Sequence, residues 1–375
     1  MQKRNLIIDN LRGLCMLGVI AIHTGSSITA LSDSALLVYL LFEVLSRYSV
    51  PAFFFISGFG LLSAYRLDKP LHYRSYLLKR LQSVGLPYIV WSLLYIAYYE
   101  HYYPGNADLS PSGLFHTLFF GLAVYHIYFL VILIWFYVMF PLWRFLLRLM
   151  HRFSLLLSML LLFFLQLAFN YWTSNFWSYP AQFANYPFLL DLLNYRLNYL
   201  PLHYLFVFIC GALAAVHYQA FSRLLQKYFN LIALFFVLTV ALLCTRFFYL
   251  LEVRKYTLEA IANTLHQLSS EGLLYTLASL LFFSALLQKT DKAASFFLRI
   301  NNLFSSHSFL IYLIHPVFLH QLAFRWPFIF DPKGSLDGLL TYCSVLVLSL
   351  VSSLLFTKLF AFLPFLSLLL TGRRK

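Results

Sequence analysis

Ionisable side chains inside long apolar runs are the first candidates for chemistry, because a charge in hydrocarbon is costly and faces a cavity or a partner. The apolar run near residues 7–29 carries Asp9, Arg12 and His23. Arg12 and His23 are eleven residues apart. In an α-helix that spacing is about 20° past three full turns and about 16 Å of rise, so both side chains share one stripe. Asp9 lies one turn before Arg12 and is placed to hold its guanidinium. Histidine takes up and returns protons near neutral pH. Arginine grips planar anions through paired N–H groups. The stripe suits a proton acceptor at one depth and an anion contact at another. Taken singly, Arg12 also reads as an anchor at the membrane face and His23 as a hydrogen-bonded core histidine.

Other polar groups recur along the chain. Glu43 and Arg47 stand four apart on the second apolar run, a spacing that neutralises itself and reads first as structural. The following stretch, SVPAFFFISGFGLL, predicts a local break at Pro51 and close approach of another helix at Ser57-Gly58. The loop from Tyr65 to Arg80 is the most basic in the chain, with Arg66, Lys69, Arg74, Lys79, Arg80 and His72. It reads both as a topology signal facing anionic lipid and as a phosphate-binding rim for a cytosolic polyanion. His126 opens a later run within YHIYFL. In SSHSFLIYLIHP, Ser308, Tyr312 and His315 fall on one helical face. His315-Pro316 predicts a kinked, partly opened helix whose freed backbone groups line a cavity. No metal-ligand spacing occurs, so no metal is expected.

The elements that must hold these groups follow from composition. Of 375 residues, 61% are hydrophobic and 11% charged, far from the balance of a soluble globular chain. Both an ordinary soluble enzyme and a disordered chain are excluded. The apolar runs predict an all-α polytopic membrane protein of about ten spans, near 7–29, 37–63, 81–99, 122–142, 153–171, 200–218, 229–250, 272–287, 303–323 and 338–358. The eighth is short. The stretch 359–370 is too short to cross alone and is expected at the interface or re-entering the bilayer. With the N-terminus inside, 18 of the 27 Lys and Arg residues fall in inside segments and 6 outside. The count supports N-in and C-in. It also turns the net charge of +14 from a nucleic-acid signal into a topology signal. Cys15, Cys210, Cys244 and Cys343 all lie in apolar segments and read as small core residues. The outer loop near 172–199 is rich in Tyr, Asn, Trp and Phe. It suits stacking on sugar rings and anchoring at the membrane interface equally.

Four patches together resemble acyltransferase family 3, the integral-membrane O-acyltransferases. IIDNLRGLCMLGVIAIH is similar to the family's signature of Arg, ten residues, then His, and it places Arg12 and His23 at the two hallmark positions. SRYSVPAFFFISGF resembles its second-helix pattern and YHIYFLVILIWFYVMFPL its mid-chain helix, especially in smaller members without an appended domain. FSSHSFLIYLIHP resembles its late helix. The patches run in order from residue 6 to 316, on a single transmembrane acyltransferase domain spanning 1–375. One departure stands out. The loop after the second helix often carries Arg, two residues, Arg; here Ser83 occupies the place of the second Arg after Arg80.

The resemblance implies an acyl group, usually acetyl, taken from cytosolic acyl-CoA and passed to a hydroxyl of a cell-envelope carbohydrate. It also implies a bacterial inner membrane. On this expectation the partners are acyl-CoA as donor substrate, the carbohydrate acceptor and membrane lipid, with no nucleic acid and no permanently bound cofactor. Arg12, with Arg74, Lys79 and Arg80 of the basic loop, would grip the CoA phosphates. His23 would act as general base, or would itself be acylated. Asp9 would orient Arg12. His126, Ser308, Tyr312 and His315 are further cavity candidates, with Glu43 and Arg47 in support. The rival readings are a transporter or flippase of an anionic or glycan-linked substrate, and an unrelated histidine-dependent membrane acyltransferase using His315.

Overall fold

A computed structural model describes residues 6–26, 33–179, 181–289, 296–325, 335–359 and 362–372. Among them the chain is mainly helical, with no strand. The helices are α1 (Leu6–Gly25), α2 (Leu36–Ala64), α3 (Tyr73–Tyr102), α4 (Pro111–Phe120), α5 (Tyr128–Val138), α6 (Phe140–Arg152), α7 (Leu155–Asn175) and α8 (Pro187–Asn194). They continue as α9 (Leu205–Val216), α10 (Tyr218–Lys227), α11 (Phe229–Val253), α12 (Leu258–Thr264), α13 (Ser270–Lys289), α14 (Phe296–Arg325), α15 (Ser335–Leu359) and α16 (Pro364–Thr371).

Eight helices are long and apolar enough to cross a membrane, and up to ten if two bent pairs each count as a span. The described residues of eight predicted runs fall in or at the ends of these helices, and the runs near 122–142 and 200–218 fall on the bent pairs. The eighth is longer than its apolar core suggests, extending over Ser270–Lys289. The bends were not foreseen: α5 and α6 meet at 62°, and the segment Pro201–Val216 meets α10 at 101°. Pro141 at the start of α6 explains the first, because a proline fits the opening turn of a new helix but not the interior of an old one.

The chain forms two compact units, residues 1–64 with 206–355 and residues 65–205 with 356–375. In the first unit α1 packs most extensively against α14 and also lies along α2. Small residues permit this. A Cβ on Gly13 would stand 2.5 Å from the carbonyl oxygen of Asn301, so only glycine fits there. The close approach expected at Gly58 is also present. Gly58 faces the backbone of Phe208 and Ala212, and Gly211 faces the carbonyl of Phe55, so α2 and α9 cross backbone against backbone.

The α2 helix is irregular over residues 40–48 before regular α-helical geometry resumes at Ser49. Pro51 accounts for the disturbance, since it offers no N–H to the carbonyl four residues earlier. Within the irregular stretch side chains supply donors to other carbonyls: Ser46 Oγ donates to that of Leu41 at 2.9 Å, and Arg47 Nε to that of Glu43 at 2.9 Å. The opening expected at Pro316 is not present. α14 runs unbroken through it from Phe296 to Arg325.

In the second unit α16 docks on α3, and Trp91 Nε1 donates to the Leu370 carbonyl at 3.0 Å. The short apolar stretch near the C-terminus is therefore a packed helix. Arg144, 3% exposed, donates to the carbonyls of Tyr65 (3.2 Å), Leu67 (3.4 Å) and Lys69 (2.5 Å), pinning the turn between α2 and α3. Of the cysteines, only Cys15 is buried; Cys210 and Cys244 are half-buried and Cys343 is exposed, contrary to a uniform core role.

Candidate active site

α1 and α14 meet at two levels. At one, Asn301 Nδ2 donates to the Asn10 carbonyl (2.7 Å) and to Asn10 Oδ1 (2.9 Å), with both asparagines buried. At the other, His23 Nδ1 and His315 Nε2 are 2.7 Å apart, their rings parallel to within 2°. From Asn10 to His23 is about 20 Å of helix rise, and from Asn301 to His315 about 21 Å. The two helices therefore run parallel and in step. If both cross the membrane, an odd number of crossings lies between them.

The two histidines differ in access. His315 is fully buried, whereas His23 is half-buried. His315 Nδ1 lies 2.9 Å from the Tyr312 carbonyl and 3.1 Å from that of Ile311. The Tyr312 ring stands 6.3 Å from the His315 ring. Ser308 is buried on the same face and donates to the Ser305 carbonyl at 3.0 Å, which gives it a helix-internal role. A pair of imidazoles with one member accessible can receive a proton from a bound hydroxyl and share the resulting charge.

Arg12 and Asp9 form the expected pair, Nη1 to Oδ1 at 3.2 Å. Glu43 and Arg47 also pair as their spacing requires. Glu43 is buried, and its second carboxylate oxygen has no hydrogen-bond partner among the described residues. The charge of Arg47 acts on His266. His266, between α12 and α13, is held down at a pKa of about 4, by burial first and by Arg47 second. The Leu268 N–H donates to its Nδ1 at 3.1 Å. Neither the His23–His315 contact nor His266 was singled out by spacing. The available signal was that two intramembrane histidines each need a partner.

The remaining candidates belong to the second unit. Arg80 is half-buried, with its guanidinium carbon 5.5, 5.9 and 5.7 Å from the ring centres of Tyr65, Tyr76 and Tyr137. Arg74 and Lys79 are exposed. Arg66 pairs with Asp68 at 3.0 Å and holds its carboxyl below the usual carboxylate range. Ser83, in place of a second arginine, donates to the Arg80 carbonyl at 3.1 Å. His126 is buried with its ring edge-on to Tyr95 at 5.8 Å. In the loop near 172–199, Arg196 lies 4.0 Å over the Trp177 ring, and Tyr171, Trp172, Phe176 and Tyr186 stay exposed. Among the described residues, no group of three or more His, Cys, Asp or Glu could hold a metal ion.

Comparison with known proteins decides the class. The family profile of the acyltransferase family 3 domain, described as an acyltransferase domain, matches residues 5–358. The chain belongs to this family. No curated protein and no solved structure matches it significantly. It is a multi-pass membrane acyltransferase, and the transporter reading gives way. The match covers both histidines of the dyad, Arg12 and the basic segment 66–80, whose Arg74, Lys79 and Arg80 stand on α3 rather than in a loop.

Proposed function

We propose that this acyltransferase moves an acyl group, most simply acetyl, from cytosolic acyl-CoA to a hydroxyl of a cell-envelope carbohydrate in a bacterial inner membrane, with His23 as the catalytic base. The observation that carries the reading is the 2.7 Å contact between His23 and His315 on parallel helices. It gives the more accessible histidine a buried partner. In the step, the acceptor O–H gives its proton to His23 as its oxygen attacks the thioester carbonyl. The tetrahedral intermediate collapses with a new C–O bond and a broken C–S bond. The proton then passes from His23 to the departing thiolate. A positioned base of this kind contributes about 10²–10⁴-fold.

Arg12, about 16 Å along the same stripe, is the proposed contact for a donor phosphate, held ready by Asp9. The exposed Arg74 and Lys79, with Arg80 in its tyrosine cage, are proposed separately as an anion-facing surface of the second unit, suited to CoA phosphates or anionic lipid. The exposed aromatic rings near 172–199 suit a carbohydrate. The test is acetyl-CoA turnover by purified protein together with mass spectrometry of envelope glycans from cells with and without it. His23→Ala should abolish both signals while the protein stays folded in the membrane. Normal acetyl transfer by that variant would end the proposal.

A further inference from the structure

We infer that Pro316 and His315 are positioning residues that lock His23 in the tautomer whose basic nitrogen is Nε2. The inference rests on His23 as the base and assigns what makes it one. Pro316 has no N–H, so within the unbroken α14 the Tyr312 carbonyl lacks its normal backbone donor. That carbonyl is 2.9 Å from His315 Nδ1. The Ile311 carbonyl, at 3.1 Å, is a second acceptor beside the same nitrogen.

A carbonyl oxygen only accepts, so Nδ1 of His315 must carry a proton. In the neutral imidazole Nε2 is then a bare lone pair. His23 Nδ1 lies 2.7 Å from it and must donate. The remaining lone pair of a neutral His23 is therefore on Nε2, at the far side of its ring from His315. The chain of consequence runs from the missing N–H of Pro316, through one carbonyl and two rings, to the nitrogen that takes the substrate proton. It is the logic by which a buried carboxylate fixes the imidazole of a hydrolase triad, here carried out by a backbone carbonyl and a second histidine. It also explains why α14 keeps a proline without breaking: the freed carbonyl already has a side-chain donor.

The experiment is ¹⁵N-histidine NMR of the full-length protein in lipid bilayers, with His23 and His315 assigned by loss of signal in His23→Gln and His315→Gln. Both rings should show Nδ1 protonated and Nε2 bare. Pro316→Ala returns an N–H to the Tyr312 carbonyl. Its His315 signals should move toward the Nε2-protonated form, and kcat for acetyl-CoA turnover should fall by about 10-fold or more with KM little changed. A merely structural proline would not move the tautomer. Wild-type His23 protonated on Nε2 would overturn the inference, and so would an unchanged tautomer in a folded Pro316→Ala. Should that variant fail to fold, the wild-type spectrum alone decides. The two readings fail separately. Acyl transfer by His23→Ala removes the base and leaves the tautomers intact, while a wrong tautomer removes the relay and leaves the base.

Discussion

Gly13→Ala should uncouple the dyad without touching it. The added methyl would meet Asn301, whose carbonyl oxygen lies 2.5 Å and whose Cγ lies 2.8 Å from the Cβ position. Asn301 cannot swing aside, since it is 1% exposed and its amide is held at two acceptors of Asn10. A carbon–oxygen contact relaxes to about 3.3 Å, so α14 must retreat from α1 by about 0.8 Å at this level. His23 lies ten residues along α1, about 15 Å away, on the same parallel pair. If the retreat carries through, the 2.7 Å nitrogen–nitrogen contact opens to roughly 3.5 Å, beyond hydrogen-bonding range. A displacement near 1 Å at a reacting centre costs on the order of 10²-fold in rate. Overpacking costs about 1–3 kcal/mol of stability, which leaves a folded protein to assay. The measurement is kcat for acetyl-CoA turnover in liposomes, with Gly60→Ala as the matched control. A Cβ on Gly60 meets nothing within 4 Å. Wild-type kcat in folded Gly13→Ala would refute the coupling, and an equal loss in Gly60→Ala would show that any added methyl does the same.

Two further outcomes are expected. His266 is neutral in the folded protein down to about pH 4, whereas an unfolded chain protonates near 6.5. The unfolded state therefore binds the extra proton first as pH falls. The stability His266 contributes is complete above about pH 6.5 and is withdrawn between there and 4, so the thermal midpoints of wild type and His266→Phe should converge or cross over that interval and hold a fixed difference above it. Arg47→Met should raise the His266 pKa, and NMR titration of His266 near 6.5 in the folded wild type would contradict the assignment. In the second unit, Arg144→Lys keeps the charge but cannot span three carbonyls. Tryptic cleavage at Arg66 should then quicken by about 10-fold as the turn loosens, and an unchanged cleavage rate would show that Arg144 does not pin it.

What could be read from the sequence was what depends on local geometry. Apolar length located the spans. Helical spacing gave the Asp9–Arg12 and Glu43–Arg47 pairs, because three and four residues bring side chains together whatever surrounds them. At Pro51 the helix loosens just before the ring, while at Pro316 it stays closed. The two prolines differ in what stands beside the freed carbonyl. At Pro316 the preceding residue is a histidine able to donate to it, so the helix has no reason to open. That compensation was written in adjacent letters, and weighing the side chain against the lost N–H would have found it.

The long-range pairing was not legible in the same way. With twelve histidines in the chain, His23 has eleven others as possible partners, and periodicity ranks them only within one helix. The choice of His315 depends on α1 and α14 being parallel and in step, and that register is set by Gly13 lying against Asn301, whose own spacing carries no histidine signal. Asparagines within two apolar runs, facing a glycine, are a packing code, and the chemistry follows it about 20 Å further along the same pair. For this reason the Arg12–His23 stripe alone could name a base but not its partner. On the proposed relay, His315 and Pro316 set which nitrogen of His23 is basic, while Asn10, Gly13 and Asn301 set the register that brings the two rings together. Neither the proline, the glycine nor the asparagines can take a substrate proton, and each acts by fixing where a histidine stands or which of its nitrogens carries hydrogen.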